Sequence, residues 1–145
     1  MNPRDAIERV LFAYCTGIDR GDFESTAALF GTDGLHGLVD AGAAKGSGQV
    51  LRMLQASVRL YDGVPRTRHV VTNVVIDVAH DEQTGRAQSY IHVLHAAPGD
   101  PLRSVVAGTY FDQLHVVDGA WQFAERRIHI ELTGDLSTHL QPGFL

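Results

Sequence analysis

Arg66-Thr-Arg-His-Val-Val-Thr-Asn73 is the stretch where this chain changes its period. Upstream of it, apolar residues recur every three or four positions; from it onward they alternate with polar ones. The first pattern belongs to helices with one buried stripe, the second to strands with one buried face. Helices first and strands afterwards predict an α+β fold, with the helices on one side of a curved sheet.

Working back from Arg66, the first helix has strong signals. Asn2 can cap it, Pro3 suits its first position, and Asp5 and Glu8 favour its positive end. Ile7, Val10, Leu11, Tyr14 and Ile18 then form the stripe, and Gly17 and Gly21 mark the end, so Asp19 falls in or just beyond the last turn. A second, short helix is expected from about Asp22 to Phe30, with Asp22 as cap and Phe23, Ala27 and Phe30 inward. Gly31 to Gly48 is glycine-rich, with a short hairpin around Leu35–Val39 and Asp40-Ala-Gly42. A third helix, about Ser47 to Tyr61, carries Val50, Leu51, Leu54, Val58 and Tyr61 on one face.

Working forward, strands are expected near Thr67–Val78, Arg86–Ala97, Arg103–Val117 and Ala120–Leu132. Asp81-Glu-Gln-Thr-Gly85, Pro98-Gly-Asp-Pro101 and Asp118-Gly119 separate them with good turn chemistry. There is no repeat, linker or low-complexity stretch, so residues 1–145 read as one domain. The segment 133–145 has no period and reads as a C-terminal tail over the barrel mouth or against a neighbouring subunit.

Composition narrows the function classes. With 145 residues, 44% hydrophobic and 20% charged, the chain is of ordinary globular type. No apolar run approaches the roughly 18–20 residues that span a bilayer, and the N-terminus lacks an apolar signal core. A net charge of −5 without a Lys/Arg cluster argues against nucleic acid and anionic membranes as partners. Cys15 is alone, so no internal disulfide can form, and a cytoplasmic location is the default.

Strand alternation selects the candidate site. His69, Val71 and Asn73 share one face of the first long strand. The second offers Gln88, Tyr90, His92 and Leu94; the third Val106, Gly108 and Tyr110; the fourth Arg126, Ile128 and Ile130. If these faces look inward, Asp19, His69, Tyr90, His92, Tyr110 and Arg126 border one aliphatic cavity. That composition suits a small-molecule pocket. Gly108 in mid-strand predicts a bend or a close approach to the backbone. A neutral imidazole steadied by a carboxylate is a general base near neutral pH.

The motifs Tyr14-Cys-Thr-Gly-Ile-Asp19-Arg-Gly-Asp22, Arg68-His69-Val-Val-Thr-Asn73, Gly108-Thr-Tyr110-Phe-Asp112 and Asp118-Gly-Ala-Trp121-Gln-Phe-Ala-Glu-Arg126-Arg127 follow in a telling order. The chain resembles the SnoaL-like branch of the nuclear transport factor 2-like superfamily over about Ile7 to Leu132. The resemblance implies a cone-shaped barrel: a strongly bent, mainly antiparallel sheet closed by three N-terminal helices around a deep pocket. Scytalone dehydratase, bile acid 7α-dehydratase and hexachlorocyclohexane dehydrochlorinase belong to this branch. Their catalytic pair is an Asp ending the first helix and a His on the first long strand, which here matches Asp19 and His69. The dehydrochlorinase arginine, five residues after the last-strand Trp, corresponds to Arg126. A second polar group of the dehydratases falls at His92, and the helix tyrosine of the bile acid enzyme at Tyr14. His92 and Tyr14 depart from the dehydrochlorinase pattern, so the pocket looks like a dehydratase's with an added arginine.

The resulting expectation is a cofactor-independent lyase or isomerase acting on a small, largely apolar, cyclic molecule. His69 would take a proton from carbon with Asp19 behind it, and His92, Tyr14 or Arg126 would assist the departing group. Ile18, Val71, Asn73, Tyr90, Val106, Gly108, Tyr110 and Ile128 would bind the substrate. Each residue also has a plainer reading. Asp19 can cap the amides of Gly21 or Asp22, His69 and His92 can be satisfied core histidines, and Tyr14 and Tyr110 can simply pack. An inward Arg126 needs a partner: Asp19, a substrate anion or a departing group. Asn73 and Gln88 are weaker candidates.

A non-catalytic ligand-binding or assembly domain of the same fold, or the small subunit of a ring-hydroxylating dioxygenase, are the competing classes. No metal or cofactor is expected. His92 and His95 face opposite sides, and His129 and Glu131 share a face with Trp121, Phe123 and Arg127 that suits an oligomer surface or solvent. Gly46-Ser-Gly48 lacks the Lys of a phosphate loop, and Cys15 has no basic neighbour to activate it. An outer apolar face of Val70, Val74, Ile76, Trp121 and Phe123 predicts a homo-oligomer, trimer favoured and dimer allowed.

Overall fold

Helix α1 covers Pro3–Asp19, capped by the Asn2 side chain on the Asp5 amide, and α2 covers Phe23–Ala28, capped by Asp22 on Ser25. A computed structural model describes residues 1–144. Strands β1 (Leu35–Leu38) and β2 (Ala43–Lys45) form the short hairpin, and α3 runs Gly46–Ser57. The long strands are β3 (Thr67–Val78), β4 (Thr84–His95), β5 (Arg103–Val117) and β6 (Ala120–Thr133). Among the described residues no helix is long and apolar enough to cross a membrane.

The six strands form one sheet in the order β2-β1-β6-β5-β4-β3. All pairings are antiparallel except β1 with β6. The α+β class and the mainly antiparallel sheet are as expected, and the sheet itself stays open, with β2 and β3 at its edges. Asp118 and Gly119 both have positive φ, 50° and 81°, the geometry a two-residue β5–β6 hairpin needs. Helix α3 ends at Ser57, short of the expected Tyr61, and Tyr61 pairs with Val64 in an isolated bridge.

Four irregularities in strand register bear on which side chains face inward. The β3–β4 register slips between Thr72 and Val75, where Asn73 adopts φ 53°. Before the slip His69 and Val71 face the interior; after it Ile76 does, with Val74 packed alongside. A second slip, opposite Gln113/Leu114, leaves Ala124 unpaired and turns both Phe123 and Arg126 inward. A third falls at Val93/Leu94 and a fourth at Ala107/Gly108. Bulges of this kind insert a residue and reverse the alternation beyond it.

These slips correct the outer face expected above. Ile76 and Phe123 are core residues, and Val74 and Trp121 pack partly buried against that core. Of that set only Val70 is exposed, beside Val75, Tyr90 and Phe111.

The core fills one end of the molecule with Ile7, Leu11, Val50, Ile76, Leu114 and Phe123. An aromatic layer crosses its middle. Tyr14 meets Phe30, Phe123 and Tyr110 edge-on at centroid distances of 6.2, 5.9 and 5.9 Å, and stacks on His36 at 5.7 Å. Beyond this layer the side chains part, and a cavity opens.

Candidate active site

Asp19 is the last residue of α1, where the helix dipole is negative and the last turn holds no basic side chain. A carboxylate is disfavoured there by a few tenths of a kcal/mol or more, so its hydrogen bonds must offset that cost. Thr67 Oγ1 donates to Asp19 Oδ1 at 2.8 Å, and the His69 amide donates to Oδ2 at 2.9 Å. The His69 ring approaches Oδ1 through Nδ1 at 2.6 Å. Burial raises the carboxyl pKa, but the hydrogen bonds and charge of His69 and the bond from Thr67 outweigh it and hold Asp19 below its usual value. An ionised carboxylate only accepts, so Nδ1 is the donor, and in the neutral imidazole Nε2 carries the lone pair.

His69 lines a cavity of about 570 Å³ with mostly aliphatic walls. Ile18 comes from α1, Leu54 and Val58 from the α3 region, and Ile91, Val93, Val106 and Ile128 from the sheet. Tyr14 and Tyr110 reach it from the aromatic layer. The β1–β2 hairpin adds Leu38 and Ala44, and the segment after β6 forms a further wall through Leu136, His139, Leu140 and Phe144. It is held by a Val58–Leu140 bridge and by the Gln141 amide on the Ser57 carbonyl at 2.8 Å.

Several expected site residues lie elsewhere. The β3–β4 register sets His69 opposite Val93 and Val71 opposite Ile91, so odd-numbered β4 residues face inward. Tyr90 and His92 therefore point outward; Tyr90 is 52% exposed and His92 Nε2 bonds Ser104 Oγ at 2.8 Å on the outer surface. Asn73 is an exposed bulge residue. Val71 packs against the core without lining the cavity. Gly108 does admit a close approach, but of protein: a Cβ there would lie 2.3 Å from the His129 carbonyl oxygen. Ile18, Val106, Tyr110 and Ile128 line the cavity.

Arg126 faces inward yet does not reach the cavity. Its Nε and Nη2 each hold an oxygen of Asp112 at 2.8 Å, and its guanidinium lies over the rings of Tyr110, Tyr14 and Phe123 at 3.7, 4.3 and 4.5 Å. Burial alone would weaken the charge; Asp112 more than offsets this and raises the arginine pKa. The partner is a neighbouring-strand aspartate, where Asp19 or a substrate group had been expected.

Two cavity histidines have no counterpart in the sequence reading. His36, from β1, meets the Tyr14 hydroxyl through Nε2 at 2.6 Å, and burial, reinforced by Arg126, pushes it down to about 3. Burial likewise raises the Tyr14 phenol pKa. His139 comes from the tail. The alternation Ala87, Ser89, Ile91, Val93 was the readable sign that this face of β4 is inward; nothing in the local pattern marked His36 or His139. Cys15 is buried, its thiol pushed up to about 11 by burial. Among the described residues no group of three or more His, Cys, Asp or Glu side chains is arranged to hold a metal.

The helix-end carboxylate, the edge-strand histidine and the cavity between helices and bent sheet sit in a span that a known family describes. The family model of the SnoaL-like domain matches residues 1–127. The chain belongs to the SnoaL-like domain family. Among solved structures, this SnoaL-like chain is similar to a candidate scytalone dehydratase from Novosphingobium aromaticivorans. The identity is 29% and the TM-score 0.74, over 91% of this chain and 86% of that one. An NTF2-like protein with a cystatin-like fold from the same organism shares the fold at 18% identity and TM-score 0.75, over 94% and 86% of the two chains. LinA shares it at 18% identity and TM-score 0.71, over 96% and 93%. Among curated proteins there is no match.

Proposed function

We propose that this SnoaL-like domain is a cofactor-independent lyase or isomerase acting on a small, largely apolar cyclic molecule. The observation that carries this reading is His69: Nδ1 is held 2.6 Å from Asp19, and the ring borders an aliphatic cavity. Nε2 takes a proton from a carbon next to an electron-withdrawing group, and Asp19 stabilises the imidazolium that forms. In an elimination the C–H electron pair becomes the new π bond, and the leaving hydroxyl departs with its own pair. The proton on His69 then passes to that hydroxide, water is released, and the dyad is restored. In an isomerisation the same proton returns to another carbon.

Tyr14 is too weak an acid, once buried, to give up its proton. With His36 it offers a polar contact for a substrate oxygen. The cavity of about 570 Å³ suits a ring system, and the likeness to the candidate scytalone dehydratase adds support. The outer-face residues Val70, Val75, Tyr90 and Phe111 support assembly into a homo-oligomer, trimer favoured.

The test needs no knowledge of the natural substrate. 1-Tetralone is a bicyclic ketone with exchangeable protons on a single carbon, and its hydrogen–deuterium exchange in D2O reports proton abstraction directly. The wild type should accelerate it, and Asp19→Asn and His69→Ala should each lower the rate by about 100-fold or more while the melting temperature stays near wild type. Exchange by His69→Ala at the wild-type rate would refute the dyad. Binding of the ketone without exchange by the wild type favours a ligand-binding domain.

A further inference from the structure

The tail contributes one imidazole that neither the family match, which stops at residue 127, nor the dyad accounts for. His139 borders the same cavity as His69 and is only 7% exposed. Its backbone is fixed on both sides: its amide bonds the Leu136 carbonyl at 3.1 Å, and its carbonyl receives the Arg59 amide at 3.0 Å. The preceding residue is clamped too, since Thr138 Oγ1 pairs with His95 Nε2 at 3.1 Å and the Tyr61 hydroxyl donates to the Thr138 carbonyl. The His139 ring lies 5.6 Å from the ring of fully buried His95.

The two ring nitrogens differ. Nδ1 is sealed from solvent and has no hydrogen-bond partner among the described residues. Nε2 makes no hydrogen bond among the described residues and is not sealed. A buried N–H without an acceptor is costlier and rarer than an unpaired acceptor, so the proton belongs on Nε2 and Nδ1 keeps its lone pair. Burial, helped by the nearby His69 and His95, pushes the ring down to about 4, so it is neutral at pH 7. The consequence is a fixed, neutral N–H donor bordering the cavity that the dyad serves. In an aliphatic cavity such a donor is poorly compensated until a ligand brings an acceptor.

We infer that His139, from the tail, donates a hydrogen bond that holds a carbonyl oxygen of the substrate, a contact that a halogenated or plain hydrocarbon could not accept. The inference deepens the dyad reading and rests on it for the direction of catalysis. When His69 removes the proton next to the carbonyl, the C–H pair enters the enolate and negative charge gathers on the oxygen, where the His139 N–H bond strengthens. A neutral imidazole is suited to this task because it polarises the oxygen without surrendering its proton. A site built around such a donor also discriminates against analogues that lack the acceptor.

The experiment compares 1-tetralone carrying 13C at the carbonyl with tetralin, the same bicycle without the oxygen. The wild type should bind the ketone more tightly than the hydrocarbon and move the carbonyl 13C signal downfield. His139→Leu, apolar and of similar bulk, should abolish both the preference and the shift. It should also lower kcat for deuterium exchange by about 100-fold with a smaller change in KM. His139→Gln, which keeps an N–H donor, should recover part of each and guards against a variant that merely unseats the tail. A wild-type shift and preference that persist in His139→Leu would overturn the inference, as would a shift lost in Tyr14→Phe and kept in His139→Leu. Ketone preference without any exchange would refute the dyad and leave the His139 contact standing; no bound carbonyl signal in the wild type would overturn both.

Discussion

Arg126 and Asp112 face each other directly across β6 and β5, joined by two parallel hydrogen bonds of 2.8 Å, and neither side chain has exposed surface. The pair stands behind Tyr14 and Tyr110, so it supports the cavity's aromatic floor without touching its contents. A buried ion pair of this kind is expensive to break by halves, because the survivor is left as an uncompensated charge. Asp112→Leu and Arg126→Met should each destabilise the fold by about 3–5 kcal/mol. The double replacement Asp112→Leu with Arg126→Met should cost clearly less than the sum of the singles. Urea denaturation of the four proteins measures the coupling directly.

His36 and His139 make stability depend on pH in a definite direction. An unfolded histidine takes up a proton near 6.5, whereas the folded protein resists protonating them until about 3 and about 4. Between those values the unfolded chain binds more protons, so stability falls as pH drops below about 6.5, at most about 1.4 kcal/mol per pH unit for each histidine. Asp19 acts in a lower window: its depressed pKa contributes stability that is lost as pH falls below the usual carboxylate range. Denaturation midpoints from pH 7.5 to 4.5 should slope downward, and His36→Gln should flatten part of that slope. An unchanged slope in His36→Gln would mean that the ring is not held neutral.

Gly108 is needed by its neighbour strand. The His129 carbonyl oxygen occupies the place where a Cβ would sit, at 2.3 Å, and backbone cannot yield as a flexible side-chain tip can. Gly108→Ala should therefore force β5 from β6 at the register slip and cost about 1–3 kcal/mol. A methyl added in open space would predict almost no loss. Thermal melts of the variant separate the two views.

How far the sequence could be read follows from where the chain is regular. The α1 stripe, the Asp22 cap, the Asp118-Gly119 hairpin and the four long strands each follow one period over many residues, and they occur nearly where that period predicts. The Asp19–His69 contact was also within reach, because it joins the end of a well-marked helix to a strand residue ahead of the first bulge. Alternation beyond a bulge was not. Val74, Ile76 and Phe123 changed face because one inserted residue reverses a period of two. Tyr90 and His92 were misplaced because the turn pairs odd β3 residues with even β4 residues, and the bulge at Asn73 shifts this to odd with odd over Thr67–Thr72. His36 and His139 lie in a four-residue strand and an irregular tail, where no period exists to read.

Asn73 supplies the local signal for the first of those bulges. Its φ of 53° is left-handed, a region that asparagine tolerates and β-branched residues do not. Asn73→Gly should thus be neutral or slightly stabilising, whereas Asn73→Val, a better strand former by propensity, should cost about 1–2 kcal/mol. Ranking the two by melting temperature tests whether the bulge, and with it the inward turn of Ile76, is set by this one residue.

The wall after β6 yields the last prediction. Leu136, His139, Leu140 and Phe144 cover the cavity, and their attachment rests on few contacts: the Val58–Leu140 bridge with the Gln141 amide on Ser57 and the Arg59 amide on His139, the Gln141 side chain on the Val58 carbonyl, and the clamp at Thr138. A chain ending at Thr133 keeps every long strand but loses this wall, so the aliphatic lining of Leu54, Val58 and Ile91 meets water. It should fold, since the core at the far end of α1 is untouched. It should also bind the dye ANS more strongly and melt at a lower temperature. Replacing Tyr61 by Phe removes only the hydroxyl held by Thr138, and should loosen the wall without deleting it. Faster amide hydrogen exchange confined to residues 136–141 would register that loosening. Equal exchange in wild type and Tyr61→Phe would show that the bridge to Val58 holds the wall by itself.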